Sequence, residues 1–179
     1  MSGPYLHERI AIVDLETTGT AATSDAITEV AIVGVENGQV VEEWSSLVNP
    51  GTTIPPEIQA LTGITDAMVA DAPAFEDIAD AVLARLADRL FVAHNARFDY
   101  AFLKNAFRRA GHTFSADVLC TVRLSRRLFP EHPKHSLDDL VARHRLNAAD
   151  RHRALGDARL AWQFMQRVVE TRPAEEIAA

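Results

Sequence analysis

The chain of 179 residues predicts one α/β domain, a central mixed five-stranded sheet flanked by helices. Three observations lead there. Short Ile/Val-rich runs alternate with helix-spaced apolar runs in the order β-β-β-α-α-β-α-β-α-α-α. The length suffices for one layered core. No internal repeat or low-complexity stretch interrupts the pattern.

Residues 9–14 (RIAIVD) are nearly continuously apolar, as in a central strand buried on both faces. Residues 27–35 (ITEVAIVGV) and 40–48 (VVEEWSSLV) read as two more strands, joined by an Asn37-Gly38 hairpin turn. Asn49-Pro50-Gly51 ends this unit. A short helix over 55–61 carries proline in its first turn and stops at Gly63. Over 75–87, Phe75, Ile78, Ala79, Val82, Leu83 and Leu86 recur at helical spacing. A fourth strand spans 90–93, a helix 97–110 stops at Gly111, and a fifth strand covers 117–120. Helices follow over 121–128, 136–144 and 155–170, the middle one opened by a capping-box-like Ser136 and Asp139. The domain should occupy residues 8–170. An N-terminal extension (1–7) precedes it, and a C-terminal tail (171–179) frays beyond Pro173.

A hydrophobic content of 47% with 24% charged residues fits a soluble globular protein. No apolar stretch nears the ~20 residues of a membrane span, and MSGPYLHERI has no apolar signal core. The single cysteine, Cys120, cannot form an internal disulfide, so a cytoplasmic setting with no membrane contact is expected. The net charge of −7 is unevenly spread. Residues 1–96 hold 3 Lys/Arg against 15 Asp/Glu, whereas residues 97–153 hold 12 against 6. That segment could draw a polyanion to an acidic protein, although a solvated helical surface has the same composition.

Four acids stand at the ends of apolar elements: Asp14 and Glu16 in IAIVDLETTG, Asp99 in FVAHNARFD, and Asp157 in HRALGDARLAW. Asp14 and Glu16 are two apart and share a strand face with Ile10 and Ile12, so they extend a core-facing row. Gly19 then lets the chain turn away. Asp99 falls in a helix's first turn, where the macrodipole alone could account for it, and Asn95 could cap that helix. Phe98 could stack on a base or pack against Phe102. Asp157 borders the apolar stripe of the last helix, where a carboxylate requires a partner or a metal. Gathered in one pocket, such acids repel, one pair about 4 Å apart costing on the order of 4 kcal/mol at an effective dielectric near 20. Divalent cations with oxygen ligands resolve that cost. His152, on the loop before Asp157, has the ordinary pKa range of a general base. His132 and His135 form an H-x-x-H without further zinc ligands, better read as loop polarity.

DLETTG, HNARFD and HRALGDA together resemble the three motifs of the DEDDh 3′–5′ exonucleases, of the ribonuclease H-like superfamily. The likeness runs over about residues 8–170 and is greatest to the catalytic domain of the DNA polymerase III proofreading (epsilon) subunit and its stand-alone relatives. It implies that Asp14, Glu16, Asp99 and Asp157 hold two divalent cations, Mg²⁺ or Mn²⁺, with His152 as catalytic base. It also implies substrate contacts by Leu15, Thr17, Thr18, Glu57, Thr62, His94, Asn95 and Phe98. Thr62 departs from the family, which often has histidine there. The substrate implied is the single-stranded or frayed 3′ end of DNA, with a DNA polymerase catalytic subunit as a partner. An RNA-trimming enzyme of the same fold and a non-catalytic polymerase accessory module are the alternatives.

Overall fold

The computed structural model describes residues 9–178. Its strands are β1 (Ile10–Thr17), β2 (Ile27–Glu36), β3 (Gln39–Leu47), β4 (Leu90–Ala93) and β5 (Val118–Cys120). Its helices are α1 (Pro56–Thr62), α2 (Asp66–Val69), α3 (Phe75–Leu86), α4 (Ala96–Arg109), α5 (Thr121–Leu128), α6 (Leu137–His144), α7 (Ala154–Thr171) and α8 (Ala174–Ala178). The sheet order is β3-β2-β1-β4-β5. β2 runs antiparallel to β1 and β3, while β4 is parallel to β1 and β5, so the expected mixed five-stranded sheet is present. The β2–β3 turn holds Asn37 and Gly38 at φ 51° and 76°, the left-handed pair a two-residue hairpin needs. The expected extension over 1–7 lies outside the described residues.

Strand alternation sets the layers. Ala11, Val13 and Leu15 of β1 join the core under α3 and α4, with Phe75, Phe102 and Phe107. Ile10 and Ile12 point the other way, onto Ala158, Ala161, Trp162 and Met165 of α7. Asp14 and Glu16 therefore continue the row that lies under α7. β1 is longer than its apolar run suggests because β2 pairs along all of it, with Asp14 opposite Ala31 and Glu16 opposite Glu29. β4 pairs only with Ile10–Ile12, so the acidic end of β1 overhangs its parallel neighbour.

Two expectations change. Gly19 has no left-handed backbone; a Cβ there would lie 2.4 Å from the Asp25 carboxylate, which accepts the Ala21 N–H at 2.8 Å. Nor is the tail frayed: α8 buries Ile177 against Leu124, Leu128 and Val168, and Arg127 donates to the Glu176 and Ile177 carbonyls at 2.9 and 2.6 Å. Buried Ile177 gives this short segment an apolar docking face.

Candidate active site

At the overhanging end of β1, Asp14 and Glu16 meet Asp157 from the first turn of α7. One carboxylate oxygen from each lies within 4.8 Å of the others. Asp99, in the first turn of α4, stands behind them, and its Oδ1 accepts the Leu15 N–H at 3.1 Å. Because β4 ends short, that amide has no ladder partner on its side, and Asp99 fills the place. Asp99 is thus 3% exposed and tied to β1, which helix-dipole stabilisation alone would not require.

The electrostatics follow from burial. Burial pushes Asp14 well above the usual carboxylate range, repulsion from Asp99, Asp157 and Glu16 adds to this, and Arg151 opposes it. Glu16 is raised from 4.5 to about 8, chiefly by burial and then by Asp157 and Glu29. Burial likewise raises Asp99, with its own amide and that of Leu15 pulling back. Burial raises Asp157 against the attraction of Arg151. Among the described residues, Arg151 is the cation in contact with the cluster: its Nη1 pairs with Asp157, and its Nε with Asp138 of α6 at 2.7 Å. A partly buried donor set made only of carboxylates, all with raised pKa, suits a hard divalent cation.

His152 lies beside Asp157 on the loop entering α7. Its φ of 66° is left-handed, and in that conformation its N–H reaches Asp157 Oδ1 at 3.3 Å. Asn95 is also left-handed, at φ 64°, and makes no side-chain cap. It lies exposed at the mouth of a cleft of about 1290 Å³ that Asp14, Asp157, His94 and Arg151 also line. Burial, then Arg151, lowers His94 from 6.5 to about 4, so it is neutral at ordinary pH; its Nδ1 meets Thr121 Oγ1 at 2.9 Å.

Other residues expected to touch substrate have structural partners. The Leu15 side chain is in the core. Thr17 donates to the Gly19 carbonyl at 2.6 Å, and Thr18 accepts the Ala26 N–H at 3.0 Å. Thr62 donates to the Ile58 carbonyl and accepts the Ile64 N–H, at 2.9 and 3.1 Å; neither it nor the exposed Glu57 lines the cleft. Phe98 packs on Phe102, ring centroids 4.8 Å apart, and also lines a smaller pocket with Thr20 and Asn95. His135 is not loop polarity. It is buried, bonded to Ser125 Oγ at 2.7 Å and to the His132 carbonyl at 2.9 Å.

Three positioning features escape the sequence patterns. Glu29, 4% exposed, accepts two bonds from Arg153 at 3.0 and 2.6 Å and the Ala154 N–H at 3.0 Å, pinning the start of α7 to β2. Gly156 lets the 150–152 loop lie against α7; a Cβ there would fall 1.9 Å from the Asp150 carbonyl oxygen. Arg151 is the third. A buried Glu in ITEVAIVGV was the one available signal for the first.

Residues 11–165 match the family model described as RNase_T, exonuclease. The chain belongs to the exonuclease family. A Mycobacterium tuberculosis protein named as a bifunctional exonuclease/endonuclease is 42% identical over 89% of this chain and 26% of its own length. The 3′-5′ exonuclease DinG of Staphylococcus haemolyticus is 39% identical over 85% of this chain and 17% of its own. The PolC-type DNA polymerase III of Oceanobacillus iheyensis is 36% identical over 91% and 12%. The chain thus spans about a quarter or less of these relatives. Exonuclease X, solved in complex with 5′-overhanging duplex DNA, superposes with a TM-score of 0.73 at 33% identity, covering 94% of this chain and 97% of that one. The zinc-bound E. coli exonuclease I–single-stranded DNA complex gives 0.84 at 19% identity over 96% and 42%, a likeness of fold. These findings agree with the DEDDh 3′–5′ exonuclease class and the ribonuclease H-like sheet. No helix among the described residues is long and apolar enough to cross a membrane.

Proposed function

We propose that this chain removes nucleoside 5′-monophosphates from the 3′ end of DNA, at single-stranded or frayed ends. The observation that carries it is the trio of half-buried Asp14 and Glu16 with buried Asp157, their ligand oxygens within 4.8 Å of one another, where an open cleft ends at Asp14 and Asp157. In this reading Asp14, Glu16 and Asp157 hold divalent cations, Mg²⁺ or Mn²⁺, and Asp99 completes the set from behind. Bound there, such cations neutralise phosphate charge and lower the pKa of the attacking water. His152 takes that water's proton as oxygen attacks phosphorus, the bond to the 3′ oxygen breaks, and the leaving oxygen is protonated. Asp157, bonded to the His152 N–H, keeps the loop in register. Asn95 and Phe98 flank the terminal nucleotide. The DNA complexes of exonuclease X and exonuclease I support DNA as substrate, and the PolC relative supports a polymerase catalytic subunit as partner. We infer the exonuclease domain to span residues 8–170, with α8 of the tail docked onto it, in the cytoplasm, where Cys120 stays a thiol.

His152→Ala tests the assignment. With Mg²⁺ and a labelled oligonucleotide, its rate should fall by roughly 10²–10⁴, the reach of general-base catalysis, while calorimetric Mn²⁺ affinity stays within about twofold. Full activity in this variant removes His152 from the reaction.

A further inference from the structure

The cleft that ends at Asp14 and Asp157 is also lined by Arg97 and Lys104 of α4 and by Arg123 and Arg126 of α5. Their spacing explains the shared orientation. Arg97, Ala101 and Lys104 fall at i, i+4 and i+7 on one face of α4, and Arg123 and Arg126 at i and i+3 on α5. β5, the sheet edge between these helices, sets Val118 toward the cleft with 46% of its surface exposed, and Tyr100 and Val122 add further apolar surface.

Their charges lack the carboxylate partners that cations near β2 and β3 have; among the described residues Arg108, Arg109 and Arg145 lack them too, but lie outside this cleft. Arg9, Arg85, Arg89, Arg153 and Arg159, on the acidic part of the surface, each pair with a carboxylate. Arg97, Lys104, Arg123 and Arg126 are all exposed, and none has a carboxylate within ion-pair distance among the described residues. Four unpaired cations beside an apolar floor match a chain that alternates phosphates with flat bases. An acidic cluster at the end of the same cleft would repel such a chain unless cations along the way held it.

We infer that Arg97, Lys104, Arg123 and Arg126 form the track for the phosphates of the single strand upstream of the scissile bond. This rests on the proposed exonuclease function and adds where the rest of the substrate lies. The strand enters over the β5 edge, between α4 and α5, with bases against Tyr100, Val118 and Val122 and its 3′ end at the acids. It also explains how a chain of net charge −7 holds a polyanion.

The test uses the fourfold variant Arg97→Ser, Lys104→Ser, Arg123→Ser, Arg126→Ser and two substrates. One is the p-nitrophenyl ester of thymidine 5′-monophosphate, which has no upstream strand; the other is a single-stranded oligonucleotide. Ester hydrolysis should stay within about twofold of wild type, which also shows that the variant is folded. For the oligonucleotide, the slope of log kcat/KM against log salt should flatten by about 3, since each neutralised single-strand phosphate contributes about 0.7. At about 0.1 M salt this corresponds to a loss of up to about 10²–10³-fold. The threefold variant Arg97→Lys, Arg123→Lys, Arg126→Lys, which keeps the charge beside the native Lys104, should retain the wild-type slope. An unchanged oligonucleotide rate and slope in the serine variant overturns the track and leaves the exonuclease reading standing. Failure of the wild-type protein to hydrolyse either substrate in Mg²⁺ overturns the reading on which the track rests.

Discussion

Asp14→Asn should reduce Mg²⁺-dependent hydrolysis by at least about 10³-fold, because it removes the central carboxylate of a set expected to supply several kcal/mol of transition-state stabilisation. The same substitution should not destabilise the protein in EDTA. Asp14 is half-buried beside Asp99, Asp157 and Glu16, which with burial push its carboxyl above the usual range, and an uncharged side chain of the same shape avoids that repulsion. Thermal melts should therefore show equal or higher Tm in EDTA, together with loss of the Mg²⁺-induced rise seen in wild type.

The pH dependence carries the same signature. Glu16, raised from 4.5 to about 8, binds its proton more tightly folded than unfolded. Its contribution to stability is complete below about pH 4.5 and is lost as pH rises toward 8. His94, lowered from 6.5 to about 4, acts with opposite sign, adding stability as pH rises between those values. Between about pH 6.5 and 8 only the carboxylate effect remains, so stability in EDTA should decline there. Metal affinity should strengthen over the same range, since binding releases the carboxylate protons.

Gly156→Ala should be the most damaging change that alters no charge or ligand. In an exposed helix interior, alanine would add about 1 kcal/mol of stability over glycine. Here the new Cβ would lie 1.9 Å from the Asp150 carbonyl oxygen and 2.6 Å from its carbon, backbone atoms with little room to yield. Overpacking of this kind costs about 1–3 kcal/mol. The displaced loop carries Arg151 and His152, and a misplacement of about 1 Å can cost on the order of 10² in rate. Gly34→Ala in β2, whose Cβ would meet its nearest neighbour at an ordinary 3.6 Å, is the control and should keep near-normal activity. Equal behaviour of the two variants would deny Gly156 its positioning role.

What could be read from the sequence was local. The period-2 placement of Ile10, Ile12, Asp14 and Glu16, the helical stripe leading to Asp157, and the Asn37-Gly38 turn each depend on residues a few positions apart. The features that were missed depend on distant ones. Glu29 and Arg153 are 124 residues apart, and nothing near either announces the other. The left-handed backbones of Asn95 and His152 are imposed by the contacts around them, not by glycine. Asp99 was ambiguous because its decisive partner, the Leu15 N–H, is free only where β1 outruns β4. The tail was misjudged for a similar reason. Buried Ile177 and two backbone acceptors for Arg127 hold it, too little apolar content to show as a pattern.

Hydrolysis should begin at the 3′ end and take place at the cluster of Asp14, Glu16 and Asp157. A time course on one single-stranded DNA oligonucleotide, labelled in parallel at its 3′ and 5′ ends, tests it most directly with Mg²⁺ or Mn²⁺ and with EDTA. The expected result is immediate release of the 3′ label as a mononucleotide, a descending ladder of 5′-labelled products, and no reaction in EDTA. Release of the 5′ label first, internal cuts without a ladder, or an undiminished rate in EDTA would rule out metal-dependent 3′–5′ hydrolysis at these acids.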